Sequence, residues 1–437
     1  MAYPSYNNYE TTLAPWLNKR PSAWEERKLK FSVDLINEKI PAQGSNLEFM
    51  GLEHIESWTG KRVLDVNAQS EGVASRFEEN DVLFGKLRPY LAKVYKAEQE
   101  GMATTEALVL RCGSDVEPDF LKYYLLSSEF INVVDGSTYG SKMPRANYEF
   151  IGNLSALIPE KKEQIQIAKF LDYRTAQIDR LIEKKKALIE KLNEQRIALI
   201  TNAVTKGINP DAPMKNSEMD WLGKIPDHWN VRRLKLLAKE PLKYGANEAA
   251  SLTDRNLPRY IRITDVKEDG SLHEDTFRSL EDHLAEPYLL QEGDILLARS
   301  GATVGKSFQY DESWGQSAYA GYLIRFRTDE KLIDAKFAYY FLRSSSYWAN
   351  INSTLIQSTI QNFSAEKYGN ISIPLPPIRE QQEIVKFITQ KLRKLNNFYN
   401  KAHEAILKLE EYRTALITSA VTGKIDVRDA NLTREYQ

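Results

Sequence analysis

At 437 residues the chain is long enough for about two to four domains, and its 42% hydrophobic content supplies cores for them. A single cysteine, Cys112, excludes an intramolecular disulfide, and five histidines (His54, His228, His273, His283, His403) show no metal-ligand spacing. No apolar run approaches the ~20 residues of a membrane span and the N-terminus carries no signal-type segment, so a cytoplasmic protein without membrane contact is expected, about which the net charge of −1 says nothing.

The distribution of charge divides the chain. Residues 1–158 carry 17 basic and 22 acidic side chains, and 212–375 carry 20 and 22; the intervening 159–207 carry 11 and 7, and 376–425 carry 9 and 5. Acidic globular pieces therefore alternate with basic ones. The first globular piece opens on Trp16-Leu17-x-Lys19-x-Pro21-x-x-Trp24. Its "DVLFGK" reads as a buried strand, Asp81–Phe84, followed by a loop carrying Lys86, Arg88, Tyr90 and Lys93. "FLKYYLLSSEF" (120–130) reads as a helix with an aromatic face, its tyrosines assigned to the core rather than to base stacking. The polar "GSTYGSKMPRANYEF" (136–150) is either a plain loop or a reader of base edges and phosphates, since Ser, Thr, Asn, Lys and Arg suit that work.

From about Lys161 to Val204 there is neither Gly nor Pro, and Pro159 stands before the start. A helix of that length is on the order of 60 Å long at ~1.5 Å per residue. Leu171, Ile178, Leu192 and Leu199 lie on one seven-residue row that Lys185 interrupts, with Ile182, Ile189, Arg196 and Ala203 as companions. A sustained row of this kind implies a coiled-coil seam rather than packing on one domain.

The second globular piece, 208–375, offers "RYIRITDV" (259–266) and "GYLIRFR" (321–327) as half-buried strands and Asp294–Ala298 as a buried one. "SGATVGKS" (300–307) approaches a phosphate-binding loop, but Ser300 stands where the first Gly belongs and the sequel is strand-like rather than helical. It is assigned to an exposed loop carrying Arg299, Ser300, Thr303 and Lys306. "FAYYFLRSSSYW" (337–348) is a second aromatic helix, and "INSTLIQSTIQNFSAEKYG" (351–369) a second polar segment. A second long helix follows in 376–428, with rows Ile388, Leu395, Ala402, Leu409, Leu416 and Leu392, Tyr399, Ile406, Arg413, Ala420, before a tail at 429–437.

These pieces are two copies of one unit. "RIALITNAVTKGI" (196–208) returns as "RTALITSAVTGKI" (413–425), and 19 of 46 positions match when 163–208 is laid on 380–425. Glu163/Glu380, Gln164/Gln381, Ile167/Ile384, Lys169/Lys386 and Phe170/Phe387 are identical pairs. The tryptophan motif recurs as Trp221-Leu222-x-Lys224-x-Pro226-x-x-Trp229, and "DVLFGK" as "DILLAR" (294–299). On that alignment "SGATVGKS" overlies "LRPYLAKV" (87–94); Lys306 falls on Lys93, and no Gly matches. The expected fold class is α+β: two globular domains of mixed strands and helices, joined by two long antiparallel coiled-coil helices with an internal pseudo-twofold repeat. No amino-methyl-transfer motif of the Asn/Asp-Pro-Pro-aromatic type occurs, because Leu375 precedes Pro376-Pro377, and there is no Gly-x-Ser-x-Gly.

"WLGKIPDHWNVRRLK" (221–235), "GDILLARSGATVGK" (293–306), "IPLPPIREQQEIVKFI" (373–388) and "RTALITSAVTGKIDV" (413–427), each with its first-half counterpart, resemble the specificity (S, HsdS) subunit of Type I restriction–modification systems over nearly the whole chain. The resemblance implies a non-catalytic, DNA-binding subunit. Target-recognition domains at 1–158 and 208–375 would each read half of a bipartite double-stranded DNA sequence. Spacer helices at 159–207 and 376–428 would fix the gap and dock two modification (M) subunits, with two restriction (R) subunits completing the complex. Cofactors would lie outside this chain, S-adenosylmethionine on M for adenine methylation and ATP with Mg on R.

Candidate DNA-binding residues, chosen by loop position and chemistry, are Lys86, Arg88, Lys142 and Arg145 in the first domain and Arg299, Lys306, Gln357 and Gln361 in the second. Candidate helix-packing residues are Leu171, Ile178, Leu192, Leu199, Leu395, Leu409 and Leu416. Acidic recognition domains imply weak DNA binding by the isolated chain, because phosphate neutralisation dominates affinity. Two alternatives stay open: a coiled-coil adaptor that binds only protein, and a nucleotide-binding enzyme that uses Lys306.

Overall fold

In the computed structural model, which describes residues 3–14, 16–64, 72–140, 142–267, 270–356 and 362–430, the apolar run after Asp81 is the strand Val82–Gly85, buried throughout. It lies inside a four-stranded antiparallel sheet in the order Val33–Ile36, Ala107–Cys112, Val82–Gly85, Val94–Lys96. A second sheet orders Lys39–Pro41, Val73–Phe77, Gly101–Ala103 and Phe49–Met50, with only its last pair parallel. Glu25–Lys28 pairs with Ser155–Ile158, so the strand that follows Trp24 meets the strand that precedes the long helix. These elements belong to one compact unit, Met1–Lys186 with His403–Gln437.

The other unit, Ala187–Ala402, repeats this plan. Its four-stranded antiparallel sheet runs Lys243–Tyr244, Leu323–Phe326, Ile295–Ala298, Ser307–Gln309, and Asn230–Arg233 pairs with Ser372–Leu375. "RYIRITDV" forms a strand only over Arg259–Ile261. Asp265 ends it, accepting from the Arg262 backbone N–H at 2.8 Å and gripping the Arg262 guanidinium at 2.7 and 3.0 Å, which closes a turn.

The repeated Asp has one job in both copies. Asp81 and Asp294, each about 1% exposed, stand just before the central strand. Asp81 accepts from the Glu78 N–H and from Arg111; Asp294 accepts from the Gln291 N–H and from Arg327 at 2.6 and 2.7 Å. A buried carboxylate is tolerable only with partners of this kind.

Each aromatic segment forms two helices rather than one: Pro118–Leu125 and Ser128–Gly136, then Ala335–Phe341 and Ser345–Ile356. The break falls at a serine. Ser127 is extended (φ −66°, ψ 140°), and the Ser344 hydroxyl accepts from the Tyr347 N–H at 3.2 Å, opening a new helix.

The long helices are Lys161–Lys206 and Ile378–Val421. In the seam rows Leu171, Ile178, Leu192, Leu416, Ile182 and Ile406 are buried, whereas Leu199, Leu395 and Leu409 are half-buried and Tyr399 is exposed. Within the first unit the two segments run antiparallel: Asp179 meets Arg413 at 3.0 Å, and Lys186, further along, feels Glu410. In the second unit Ile200, Ala203 and Val204 share one core with Ile384, Ile388 and Leu392.

The identical repeat pairs are the joints between helix and domain. Trp24 and Trp229, fully buried, donate their indole N–H to Glu163 and Glu380, both at 3.1 Å. Gln164 and Gln381, both 0% exposed, turn back on their own helix starts, donating to the Pro159 and Pro376 carbonyls at 2.9 Å. They also accept from the Glu117 and Asp334 N–H groups at 2.8 Å. At the far ends Thr418 accepts from the Ser128 N–H, and Thr201 from the Ser345 N–H, both at 2.9 Å. Each hydroxyl satisfies a free amide in the first turn of another helix. Thr418→Val is expected to destabilise the first unit by ~1 kcal/mol, as loss of a helix cap does; a denaturant midpoint equal to wild type would remove this role.

Candidate nucleic-acid interface

Four of the sequence-chosen cations come together in the first unit. The loop that leaves Val82–Gly85 is tied to the segment before Tyr148–Asn153 by backbone hydrogen bonds: Arg88 N–H to Pro144 O at 2.8 Å and Ala146 N–H to Lys86 O at 2.9 Å. Lys86, Arg88, Lys142 and Arg145 thus lie on two paired strips of backbone. Arg88 and Ala92 both take left-handed backbone, φ 51° and 45°. Non-glycine residues pay for this conformation with ~1–3 kcal/mol each, and such strain clusters at functional loops. Arg88 and Lys142 are exposed and Lys86 is half-buried. Arg145 is committed elsewhere: its guanidinium grips Glu106 at 3.0 and 3.1 Å, cancelling the acid at this end. Tyr90, Tyr139 and Met143 are exposed beside these cations.

The second unit builds the same joint. Phe363 N–H donates to Arg299 O at 2.8 Å, as Ala146 does to Lys86, and Ser300 bridges to Asn362. The Arg299 guanidinium lies 4.8 Å from the centre of the Tyr244 ring and donates Nη1 to Gly321 O at 3.3 Å. Among the described residues, its Nε and the Asn362 Oδ1 are buried without a hydrogen-bond partner, two unmatched polar atoms beside a surface loop. Lys306 is exposed, whereas its repeat counterpart Lys93 donates to the Leu52 and Ile55 carbonyls at 2.6 and 2.7 Å. Gln357 and Gln361 lie outside the described residues.

The loop at Ser300 is not a phosphate cradle. Gly301–Thr303 is a short 3-10 turn and the strand Ser307–Gln309 follows where a helix would be needed. The backbone N–H groups of Val304, Gly305 and Lys306 are spent on Gly301 O, Ala298 O with the Tyr368 hydroxyl, and Thr303 O. An added Cβ on Gly305 would come within 2.8 Å of Trp348, so this glycine serves close packing. Burial pushes the Cys112 thiol up to about 12, far from a nucleophile's range. Among the described residues no group of three or more His, Cys, Asp or Glu side chains is placed to hold a metal.

Sequence reasoning passed over three contributors. Tyr244 supports Arg299, and Arg413 links the long helices to the loop at Trp58, donating to the Trp58 and Thr59 carbonyls at 2.6 and 3.0 Å. Lys39 opens an edge strand close to Lys86, and nothing in its spacing marks it out.

Comparison with known proteins agrees with this duplicated plan. The MjaVIII Type I restriction enzyme specificity subunit of Methanocaldococcus jannaschii is 24% identical over 430 residues, 94% of this chain and 95% of that one. A putative Type I restriction enzyme specificity subunit of Haemophilus influenzae, S.HindORF215P, is 29% identical over 281 residues, 64% of this chain and 65% of that one. A chain in a solved structure concerning complex assembly and conformational transition of the type I R-M system shares the fold with TM-score 0.71 at 18% identity, covering 93% of this chain and 100% of that one. The model of the Type I restriction modification DNA specificity domain matches residues 21–191 and again 226–407, once in each copy of the repeat, and the chain belongs to that family.

Proposed function

We propose that this chain is the DNA-reading subunit of a Type I restriction–modification assembly, and that its part is recognition rather than catalysis. The family match over both copies of the repeat carries this reading, and the paired loops that hold cations beside each central sheet support it. Recognition domains at 1–158 and 208–375 each read one short block of a bipartite duplex target. Spacer helices at 159–207 and 376–428 act as the ruler between blocks and as the dock for two M and two R subunits; 429–437 is a tail. Half-sites read from one side of a duplex lie about one helical turn, ~34 Å, apart. S-adenosylmethionine belongs to the M subunits, ATP and Mg to the R subunits, and the assembly works in the cytoplasm. Among the described residues no helix is long and apolar enough to cross a membrane.

The deciding experiment is an adenine-methylation map of the host with and without the gene. Loss of one split motif, two short blocks around a fixed gap, is the expected result. An unchanged map, in cells where a neighbouring methyltransferase co-purifies with this chain, would sink the reading. Within it, Arg88→Ala is expected to weaken target binding by the assembly about tenfold, the loss of ~1–3 kcal/mol given by one direct contact; unchanged affinity and methylation would strike Arg88 from the interface.

A further inference from the structure

Lys39 and Lys86 stand at one end of the first unit, near enough for the Lys86 charge to act on the Lys39 ammonium. Lys39 starts the edge strand Lys39–Pro41, opposite Ser75 in register, and Ser75 is opposite Ala103 on the next strand. Four residues on, Ala107 is opposite Gly85, the residue before Lys86. The turn 104–106 therefore connects the strand beside Ser75 to the strand beside Gly85, at the end of the unit that carries the loop cations. The Lys39 ammonium donates to the Ser75 hydroxyl at 2.6 Å, and Ser75 is itself 1% exposed, so the charge is held in place. Burial, and after it the neighbouring Lys86 ammonium, push the Lys39 pKa below its ordinary value. Among the described residues neither lysine is ion-paired, and the acid of the 104–106 turn, Glu106, is taken by Arg145. Holding two like charges together this way is unfavourable until an anion joins them.

We propose that Lys39 and Lys86, with Lys39 oriented by Ser75, form a binding site for one phosphate group of the DNA backbone. The site rests on the reading of this chain as a DNA-recognition subunit and adds to it a contact that positions the duplex without reading sequence. Arg88 and Lys142, on the adjoining loops, are then free to reach further along the same duplex.

The test uses the chain assembled with its methyltransferase partner. Affinity for a target duplex and for a scrambled duplex is measured against salt for wild type, Lys39→Ala and Lys39→Arg. Lys39→Ala is expected to weaken both duplexes by the same factor and to lower the log–log salt slope by ~0.9, one phosphate contact. Lys39→Arg keeps the slope, and the methylated motif stays the same in all three. A slope unchanged in Lys39→Ala, at wild-type melting temperature, overturns the site and leaves DNA reading intact. No DNA binding by the wild-type assembly overturns the underlying reading instead. Inorganic phosphate, added at constant ionic strength, should not displace the duplex; competition seen in wild type and lost in Lys39→Ala would reassign the site to a free anion.

Discussion

Arg413→Ala is expected to destabilise the first unit by ~3–5 kcal/mol, the range for breaking a buried ion pair from one side. The Arg413 side chain is 5% exposed and Asp179 15%. Its guanidinium serves three acceptors at once: Asp179 at 3.0 Å, Trp58 O at 2.6 Å and Thr59 O at 3.0 Å. Alanine leaves both carbonyls without this donor in a half-closed cleft of about 800 Å³ that Trp58, Asp179 and Arg413 line together. Asp179 keeps Lys61 at 2.6 Å, but that ammonium is 52% exposed and cannot replace a buried fork. Trp58 holds a left-handed φ of 66°, so its loop is a strained element fixed by this contact. Lysine recovers little, because a point charge does not reproduce the planar fork. Hydrogen exchange across 56–61, with the denaturant midpoint of the first unit, reports the effect. Protection at wild-type level in Arg413→Ala would show that the loop holds itself.

The sequence read Arg413 only as a member of a seven-residue row, and its place there gives no hint of the loop it meets. That contrast marks the boundary of what was legible. Identity at a fixed shift exposed the duplication and both long helices, because a helix 40 residues long leaves a periodic trace that no local interaction disturbs. The same identities, Glu163/Glu380 and Gln164/Gln381, could not reveal that the acids receive an indole from Trp24 or Trp229 and the amides an N–H from Glu117 or Asp334, because those partners lie far off in sequence. Strand limits failed where a side chain cut the pattern, as Asp265 does in "RYIRITDV". The aromatic helices failed at Ser127 and Ser344, whose hydroxyls donate back to the Tyr124 and Phe341 carbonyls, both at 2.7 Å, in competition with the continuing helix.

The candidate site was legible in position more than in role. Lys86 and Arg299 occupy equivalent places, each accepting a backbone hydrogen bond from the second loop, as the shift of "DVLFGK" onto "DILLAR" implied. Arg145, chosen as a reader, has its guanidinium paired with Glu106 on the neighbouring turn. Lys93 and Lys306 align, yet one is tied to two carbonyls and the other is exposed. Side chains at aligned positions of a duplicated scaffold are free to diverge because the backbone joint, not the side chain, holds the loops.

The scaffold itself depends on the paired Asp, and Asp294→Ala is expected to cost the second unit ~3–5 kcal/mol. Asp294 is 1% exposed and its partner Arg327 is 16% exposed, so neither charge has water to fall back on. The substitution removes the acceptor of two guanidinium hydrogen bonds, at 2.6 and 2.7 Å, and of the Gln291 N–H at 2.9 Å. Arg327 retains Glu240, at 3.1 Å, which Arg325 already holds at 2.7 Å, and a long hydrogen bond to the Leu289 carbonyl at 3.4 Å. The equivalent Asp81→Ala should cost less, because Arg111 is 37% exposed and water can replace the lost carboxylate. Replacing both partners, Asp294→Leu with Arg327→Met, should recover much of the loss, since an apolar pair of similar volume leaves no buried charge unmatched. Urea unfolding of the three variants beside wild type gives the comparison. Equal losses for Asp81→Ala and Asp294→Ala, with no recovery in the double variant, would mean that the hydrogen bond to the turn N–H, present in both copies, matters more than the ion pair.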